Sequence, residues 1–237
     1  MQVVVFANEP PSAQSAHGEP LPASLISLHG KPLVDWQLDA FVASGARRVV
    51  MLVAGAGGEE VETHVRRALD RGLMVAYSYA GGDASGSGST LRRAFARLED
   101  DFVLTWGDRY LPLDYSAPLR DLREHPEALA TLGVSPKPPG ARGHAAVDGN
   151  WVTRYEPNRA AELDYVDGGV VALRRTVLND IADGAVWNVE ALWRKLARER
   201  KLRAFVLPER GYDVASPEGQ ERLARHLASQ PIDGPPP

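Results

Sequence analysis

Two aspartates at the ends of strand-like segments are the residues best suited to chemistry in this sequence. Asp108 follows the apolar run 102–106 through a single glycine, Gly107, and Asp213 lies just before the last helical segment. Ligands of open α/β sheets bind outside the carboxyl ends of the strands, and Mg²⁺ is typically held by one or two carboxylates together with substrate phosphates. The pair therefore predicts a Mg²⁺ site. The local alternative is that Gly107-Asp108 is only a turn, since both residue types are common turn formers.

A Gly/Ser-rich segment, residues 81–90, is the second candidate for chemistry. It precedes a predicted helix, whose free N–H groups and dipole favour an anion such as a phosphate. Gly86, Ser87 and Gly88 are the residues of this segment that stand nearest to the helix. The segment matches neither the Walker A motif nor the dinucleotide fingerprint, so a flexible connection explains its composition equally well.

The elements that must position these residues alternate between strands and helices in the first half of the chain. Strands are predicted at 2–7, 48–53, 74–79 and 102–106, helices at 30–44, 59–71 and 91–98, and a Gly-rich turn at 55–58. Strands that alternate with helices of about a dozen residues are typical of a parallel sheet with helices on its faces.

The second half of the chain adds a hairpin and further helices. Strands are predicted at 128–134, 165–173 and 202–207, and helices at 119–125, up to 181–184, at 189–200 and at 217–228. Asp148-Gly149-Asn150 predicts a β-hairpin between 143–147 and 151–155. Together these elements predict one domain, residues 1–228, with a three-layer α/β/α fold and a mixed, mostly parallel sheet. Residues 229–237 form a Pro-rich tail.

Composition excludes several classes of function. The chain has 237 residues, a net charge of −4 and no cysteine, so disulfides, thiolate metal sites and a cysteine nucleophile are excluded. No block of Lys or Arg indicates nucleic-acid binding, the histidines show no zinc-ligand spacing, and no apolar run approaches the ~20 residues of a membrane span. The N-terminal segment lacks the features of a signal peptide. We therefore expect a cytoplasmic protein that binds neither nucleic acid nor membranes.

Six short motifs occur in an order that resembles the sugar-1-phosphate nucleotidyltransferases, also called nucleotide-sugar pyrophosphorylases. They are Gly30–Leu33 (similar to G-K-P-L), Gly86–Leu91 (G-T-A-G-A-L), Trp106–Asp108 (N-G-D), Val152–Pro157 (V-x-x-F-x-E-K-P), Val166–Val170 (I-N-A-G-I) and Tyr212–Glu218 (W-x-D-I-G-T-P-E). The resemblance extends from Met1 to His226. It implies the Rossmann-like fold of nucleotide-diphospho-sugar transferases.

The resemblance also implies an activity and roles for individual residues. The implied reaction joins an NTP to a sugar 1-phosphate and gives an NDP-sugar and pyrophosphate, in nucleotide-sugar or polysaccharide biosynthesis. Asp108 and Asp213 would hold Mg²⁺ and act in catalysis together with Lys31. The implied nucleotide contacts are Ala7, Asn8, Gly86, Ser87 and Gly88, and the implied sugar contacts are Gly143, Glu156, Asp167 and Gly169.

The segment that follows the first strand departs from the family pattern. The family's A-G-G-x-G-T-R-L loop falls on residues 7–14 without its glycines or its arginine, its P-K-P lysine falls on Ala23, and its E-K-P lysine has no equivalent beside Pro157. Prolines supply no N–H group, Glu9 would repel phosphate, and each lost cation could cost ~3 kcal/mol of transition-state stabilisation. The candidates to replace these cations are Lys31, Arg142, Arg154 and Arg159.

Three functions remain open at the level of sequence. The retained aspartate pair favours a nucleotidyltransferase. The altered loop favours a non-catalytic relative that binds a nucleotide, a sugar nucleotide or a partner subunit, with a homo-oligomer as a further option. A glycosyltransferase of similar sheet architecture is the third interpretation, because it needs an acidic metal ligand but no glycine-arginine loop.

Overall fold

The computed structural model describes residues 1–7, 13–14, 20–67, 72–80, 86–179, 181–182 and 185–229. Most of the polar segment after the first strand lies outside this range, as do residues 81–85 of the Gly/Ser-rich segment and the tail from residue 230.

Fifteen strands occur in the described part of the chain, and nine of them form one sheet. The strands are β1 (Gln2–Phe6), β2 (Ala13–Gln14), β3 (Pro20–Leu21), β4 (Ser27–Leu28), β5 (Lys31–Pro32), β6 (Arg48–Val53), β7 (Met74–Tyr79), β8 (Asp101–Trp106), β9 (Arg109–Tyr110), β10 (Ala130–Pro136), β11 (Gly143–Asp148), β12 (Trp151–Ala160), β13 (Tyr165–Arg174), β14 (Leu202–Val206) and β15 (Tyr212–Asp213). The sheet order is β10-β14-β12-β11-β13-β8-β1-β6-β7, with an additional β10–β13 pairing. Strands β8, β1, β6 and β7 are parallel, whereas β13 is antiparallel to β8.

Six α-helices are described: α1 (Leu33–Ala43), α2 (Gly55–Arg67), α3 (Ser87–Arg93), α4 (Ser116–Glu124), α5 (Val189–Arg198) and α6 (Pro217–Ala228). Short 3-10 helices lie at Ala23–Leu25, Phe95–Arg97 and Arg175–Leu178. Among the helices of the described ranges, none combines the length and the apolar character needed to cross a membrane.

Strand β1 shows why the sheet is covered on both faces. All of its residues are buried, and successive side chains of a strand point to opposite faces. Val3 and Val5 pack in a hydrophobic cluster with residues of α1, α2, α4 and α6, whereas Val4 and Phe6 pack with residues of α3 and α5. A strand that is apolar at every position therefore requires helices on both sides. The predicted α/β/α architecture with a mixed sheet is confirmed.

Several predicted element bounds agree with the structure, but the Gly-rich turn at 55–58 is wrong. Helix α2 already begins at Gly55. Gly58 packs so closely on the preceding strand that a Cβ atom would lie 2.9 Å from the Val53 Cβ. Glycine therefore serves close packing of helix on strand at this position.

Two predicted helices also need correction. The helix predicted at 91–98 begins earlier, as α3, and ends in the 3-10 helix Phe95–Arg97. The helix predicted to end at 181–184 is replaced by the 3-10 helix Arg175–Leu178. Both errors concern short segments whose bounds depend on packing against neighbouring elements.

An ion pair ties helix α4 to the β10–β14 end of the sheet. Arg203 donates two hydrogen bonds of 2.9 Å to the carboxylate of Asp121, and the Thr131 hydroxyl donates a third of 2.9 Å. The Arg203 side chain is only 7% exposed. Burial alone would raise the pKa of Asp121, but the hydrogen bonds from Arg203 and Thr131 outweigh it and hold that pKa below its usual range. The pair therefore contributes stability above the usual pKa of aspartate, and this contribution is lost as the pH falls through the lowered pKa.

We expect Asp121→Asn to lower the free energy of unfolding at pH 7 by about 2–3 kcal/mol, because the buried guanidinium loses its counter-charge. Thermal melting should fall by about 5–10 °C. The difference from the native chain should shrink as the pH falls below the usual pKa of aspartate and through the lowered pKa of Asp121 in the folded state. Asp148→Asn is the matched control, since it removes an ion pair with Arg200 in which both side chains are more than half exposed. Equal losses in the two variants would contradict the prediction.

Candidate active site

Asp108 is positioned by a tight crossing at the end of strand β8. The Gly107 N–H donates a hydrogen bond of 2.7 Å to the carbonyl of Phe6, at the end of β1. A Cβ atom at Gly107 would lie 2.5 Å from the Ser24 Oγ and 2.9 Å from that carbonyl oxygen, so only glycine fits. Asp108 is therefore held at the carboxyl ends of two neighbouring parallel strands, where α/β sheets bind their ligands.

Main-chain pairing brings Asp213 to the same place. Strand β15 pairs antiparallel with β9, so that Asp213 lies opposite Arg109, and the Val214 N–H donates a hydrogen bond of 2.9 Å to the Asp108 carbonyl. A Cβ atom at Gly219 would lie 1.6 Å from the Asp213 carbonyl oxygen, so the start of α6 packs directly on this residue. The structure thus brings the two predicted metal ligands together.

One oxygen of the largely buried Asp108 carboxylate has no hydrogen-bond donor among the described residues. The Asp108 side chain is 16% exposed, and its Oδ1 accepts no hydrogen bond from the described residues. The Nε of Arg109, its ion-pair partner, lies 3.8 Å away. Burial raises the pKa of Asp108, attraction to Arg109 opposes this shift, and repulsion from Asp213 adds to it.

This arrangement fits a divalent cation such as Mg²⁺. A buried carboxylate oxygen that lacks a donor, beside a second carboxylate, is a hard-ligand pair of the kind that Mg²⁺ uses. The described residues contain no group of three or more acidic, histidine or cysteine side chains that could enclose a metal. Substrate phosphates or water would therefore have to complete the coordination.

The predicted sugar contacts Asp167 and Gly169 form one fixed turn in β13. The Asp167 carboxylate accepts a hydrogen bond of 2.8 Å from the Gly169 N–H and one of 2.8 Å from the Tyr155 hydroxyl. Gly169 has a φ of +83°, and a Cβ atom there would lie 2.6 Å from the Arg109 Cδ. Its carbonyl accepts a hydrogen bond of 2.9 Å from the Thr105 hydroxyl. The turn is therefore tied to β8 and to the residue that follows Asp108.

The other two predicted sugar contacts have structural partners of their own. Gly143 lets β11 approach the chain closely, because a Cβ atom there would lie 2.4 Å from the Leu163 carbonyl oxygen. The Glu156 carboxylate accepts hydrogen bonds of 3.2 Å from Arg194 and 3.4 Å from Arg154. A role of Gly143 and Glu156 in sugar binding stays a prediction.

Gly86, Ser87 and Gly88 lie at the start of α3, but the N–H groups of Ser87 and Gly88 already donate hydrogen bonds. The Gly88 N–H donates a hydrogen bond of 3.1 Å to the Trp187 carbonyl, and the Ser87 N–H donates one of 3.2 Å to the Asn188 Oδ1. A Cβ atom at Gly88 would lie 2.4 Å from the Trp187 ring. The segment before α5 thus covers this helix terminus, and a nucleotide would bind these N–H groups only after that segment moved.

The remaining predicted site residues lie in different surroundings. Ala7 is buried, and its N–H donates a hydrogen bond of 2.8 Å to strand β6, while Asn8 lies outside the described residues. Lys31 forms an ion pair with Asp39, and its ammonium lies 3.9 Å from the centroid of the Trp36 ring. The Lys31 ammonium is therefore engaged by helix α1, and its catalytic role stays a prediction.

Two arginines that sequence reasoning missed stand at this site. Arg109 and Arg210 line a cavity of about 60 Å³ next to Asp213. Arg159, which the sequence indicated only as a replacement cation, lines it too, because β12 extends beyond the predicted hairpin to Ala160. The signal available in the sequence was adjacency, since Arg109 follows one candidate aspartate directly and Arg210 precedes the other by three positions.

Comparison with known proteins adds sequence relatives. No model of a known protein family matches the chain. It is 28% identical over 235 residues to the bifunctional protein GlmU of Caulobacter vibrioides, covering 90% of this chain and 48% of that protein. It is 30% identical over 130 residues to the glucose-1-phosphate cytidylyltransferase of Salmonella typhi, covering 54% of this chain and 49% of that protein. The chain thus spans about half the length of the curated relatives it matches.

Solved structures share the fold over nearly the whole chain. A putative glucose-1-phosphate thymidylyltransferase from Bacillus anthracis superposes with a TM-score of 0.82 at 14% identity, over 99% of this chain and 97% of that one. HddC from Yersinia pseudotuberculosis superposes with a TM-score of 0.77 at 16% identity, over 95% and 99%. The chain thus resembles sugar-1-phosphate nucleotidyltransferases in sequence over part of their length. Sequence similarity to the curated relatives agrees with the resemblance of the motifs, and the structural likeness shows a shared fold.

The structure also describes Ala23, the residue that the motif resemblance aligns with the P-K-P lysine. Ala23 occupies it, is 1% exposed, and lies in the 3-10 helix whose Ser24 packs on Gly107. The side chain at position 23 therefore supplies no positive charge near the candidate metal ligands. The positive charge described near Asp213 comes instead from the three arginines of the cavity.

We expect Asp108→Asn to raise the free energy of unfolding by about 1 kcal/mol in metal-free buffer at pH 7, because it removes a charge that burial and Asp213 disfavour. A carboxyl group with a raised pKa costs stability once it ionises, so the gain should shrink as the pH falls through that pKa. Denaturant unfolding of both chains measures the difference. Asp164→Asn, at a side chain that is 79% exposed, should change stability little. A loss of stability in Asp108→Asn would contradict this account of the site.

Proposed function

We propose that the chain is a Mg²⁺-dependent sugar-1-phosphate nucleotidyltransferase, which converts an NTP and a sugar 1-phosphate into an NDP-sugar and pyrophosphate. The observation that carries the proposal is that Asp108 and Asp213 lie side by side at the carboxyl ends of the strands, because Asp213 pairs with Arg109 and Val214 bonds to Asp108, with one Asp108 oxygen buried and without a donor among the described residues. The names of the relatives add support, since they include nucleotidyltransferases that act on glucose 1-phosphate.

The reaction is a substitution at the α-phosphorus of the NTP. An oxygen of the sugar phosphate forms the new P–O bond while the bond to pyrophosphate breaks, and pyrophosphate leaves with the electron pair. Asp108 and Asp213 would hold Mg²⁺, which supplies positive charge to the phosphoryl group in transfer. Phosphoryl transfer depends mainly on positioning and electrostatic stabilisation, so the fixed turn at Asp167 and Gly169 would orient the sugar.

A non-catalytic relative is the second candidate, and a specific observation favours it. Ala23 is buried at the position of the family's lysine, and the N–H groups at the start of α3 are bonded to the Trp187 carbonyl and the Asn188 side chain. A chain of this kind would bind a sugar nucleotide or a partner subunit without turnover.

Pyrophosphate release separates the two candidates. We expect release when the full chain is incubated with Mg²⁺, each common NTP and a panel of sugar 1-phosphates. Asp108→Asn should reduce the rate by at least about 10²–10³-fold, on the scale of losing one group that stabilises the transition state. Asp164→Asn, on the exposed surface, should retain the native rate.

Calorimetry of nucleotide binding, measured in parallel, shows what an absence of pyrophosphate release means. Absence of release over the whole panel, combined with Mg²⁺-dependent binding of a nucleotide, would overturn the enzyme and support the non-catalytic relative. Release that persists undiminished in Asp108→Asn would show that the two aspartates do not carry the reaction.

A further inference from the structure

The cavity beside Asp213 is lined by more arginines than carboxylates, and one of these arginines, Arg109, also forms an ion pair with Asp108 at 3.8 Å. Three arginines line it, Arg109, Arg159 and Arg210, together with the two carboxylates of Asp167 and Asp213. We call these five side chains and the space between them the arginine pocket. Its volume of about 60 Å³ has room for several water-sized groups, which is the scale of one phosphate or carboxylate.

The carboxylates of the pocket do not engage its arginines. Both oxygens of Asp167 accept other hydrogen bonds, from the Tyr155 hydroxyl and the Gly169 N–H. The Asp213 Oδ1 accepts a hydrogen bond of 2.9 Å from the Ala215 N–H. Among the described residues, no pair of N and O atoms within 4.0 Å joins Asp167 or Asp213 to an arginine of the pocket.

The arginines correspondingly retain unused donors. The Arg109 Nε is buried and donates no hydrogen bond within the described part of the chain. Arg210 is exposed and makes neither a hydrogen bond nor an ion pair with any described residue. The Arg159 contact is to a nitrogen, the Nε2 of His144, at 3.1 Å. Unpaired guanidinium donors that converge on one space are typical of a site for an anion.

The contact between Arg159 and His144 places two donors against each other. The Asp167 N–H donates to His144 Nδ1 at 3.0 Å, so the neutral ring carries its proton on Nε2. Burial, with repulsion from Arg159 and Arg109, holds the pKa of His144 below its usual range despite the attraction of Asp167. The neutral ring accepts at one nitrogen only, so the Arg159 Nε–H finds no lone pair at Nε2 while the Asp167 N–H holds Nδ1, and a bound anion would supply an acceptor.

Ser135 provides an independent indication of a ligand. It lines the pocket, is 3% exposed, and its Oγ has no hydrogen-bond partner among the described residues. Ser135 pairs with Val166 across β10 and β13, on the far side of β13 from the strand that leads to Asp108. A buried hydroxyl without a partner costs stability unless a bound group satisfies it.

We propose that the arginine pocket binds a second anionic group, a phosphate or a carboxylate, on the sugar of the acceptor substrate. The proposal rests on the function proposed above and narrows its substrate class to sugar 1-phosphates that carry a further negative charge. The reacting phosphate belongs at Asp108 and Asp213, whereas the pocket continues from Asp213 to Ser135 across the turn at Asp167. A sugar held at that turn would direct a substituent towards the arginines.

Binding calorimetry of the full chain in Mg²⁺ tests the proposal with matched ligands. The probes are glucose 1-phosphate, glucose 1,6-bisphosphate and glucuronate 1-phosphate, together with mannose 1-phosphate and mannose 1,6-bisphosphate. For at least one sugar, the doubly anionic ligand should bind at least about tenfold more tightly than the monophosphate, as expected for one charge-assisted contact. Comparison of the bisphosphates with the uronate distinguishes phosphate from carboxylate as the second group.

Arg159→Gln and Arg210→Gln should each reduce that affinity ratio several-fold and leave the affinity for the monophosphates nearly unchanged. Arg200→Gln is the control, because Arg200 is an exposed arginine outside the pocket.

Equal affinities for monophosphates and doubly anionic ligands in the native chain, or binding of none of the probes, would overturn the proposal. Equal weakening of both ligand classes in the variants would overturn it too, since the arginines would then hold the reacting phosphate. Binding calorimetry does not depend on turnover, so it tests the arginine pocket even in a chain without activity. The pyrophosphate assay tests the proposed activity separately.

Discussion

One main-chain bridge organises the site, the hydrogen bond from the Val214 N–H to the Asp108 carbonyl. It closes the C-terminal part of the chain onto the end of strand β8 and places Asp213 beside the other aspartate. The contact uses backbone atoms and engages neither of the two carboxylates. Gly107 and Gly219 make the bridge possible, because any side chain at either position would collide with neighbouring atoms.

The bridge has an electrostatic cost that explains why the site is suited to a cation. It holds the largely buried Asp108 carboxylate close to the exposed carboxylate of Asp213, and Arg109 only partly offsets the rise in the pKa of Asp108 that burial and Asp213 cause. Proteins keep such unfavourable arrangements chiefly where they bind or react. Arg109, Arg159 and Arg210 line the cavity next to Asp213, so carboxylates and guanidinium groups lie close together in the site.

The segment before α5 gives the site a different boundary from the one that the motifs suggested. The Trp187 carbonyl and the Asn188 side chain accept hydrogen bonds from N–H groups at the start of α3. The Ser89 hydroxyl donates a hydrogen bond to the Ala185 carbonyl, and the Ser87 hydroxyl accepts one from the Val189 N–H. A helix start that is rich in glycine and serine predicts a place for a ligand. In this chain the same small residues allow an internal segment to pack there.

The sequence by itself determined the fold class and the strand-end position of Asp108, because hydrophobic periodicity and turn residues are local signals. Runs such as 48–53 and 74–79 are apolar or β-branched enough to define strands without knowledge of their neighbours. Only the tertiary structure decided which strand ends meet, that Arg109 and Arg210 share a cavity with Asp213, and that the glycines at 55–58 belong to a helix. These features depend on register and close approach between segments up to a hundred residues apart, and no local pattern in a single sequence encodes them.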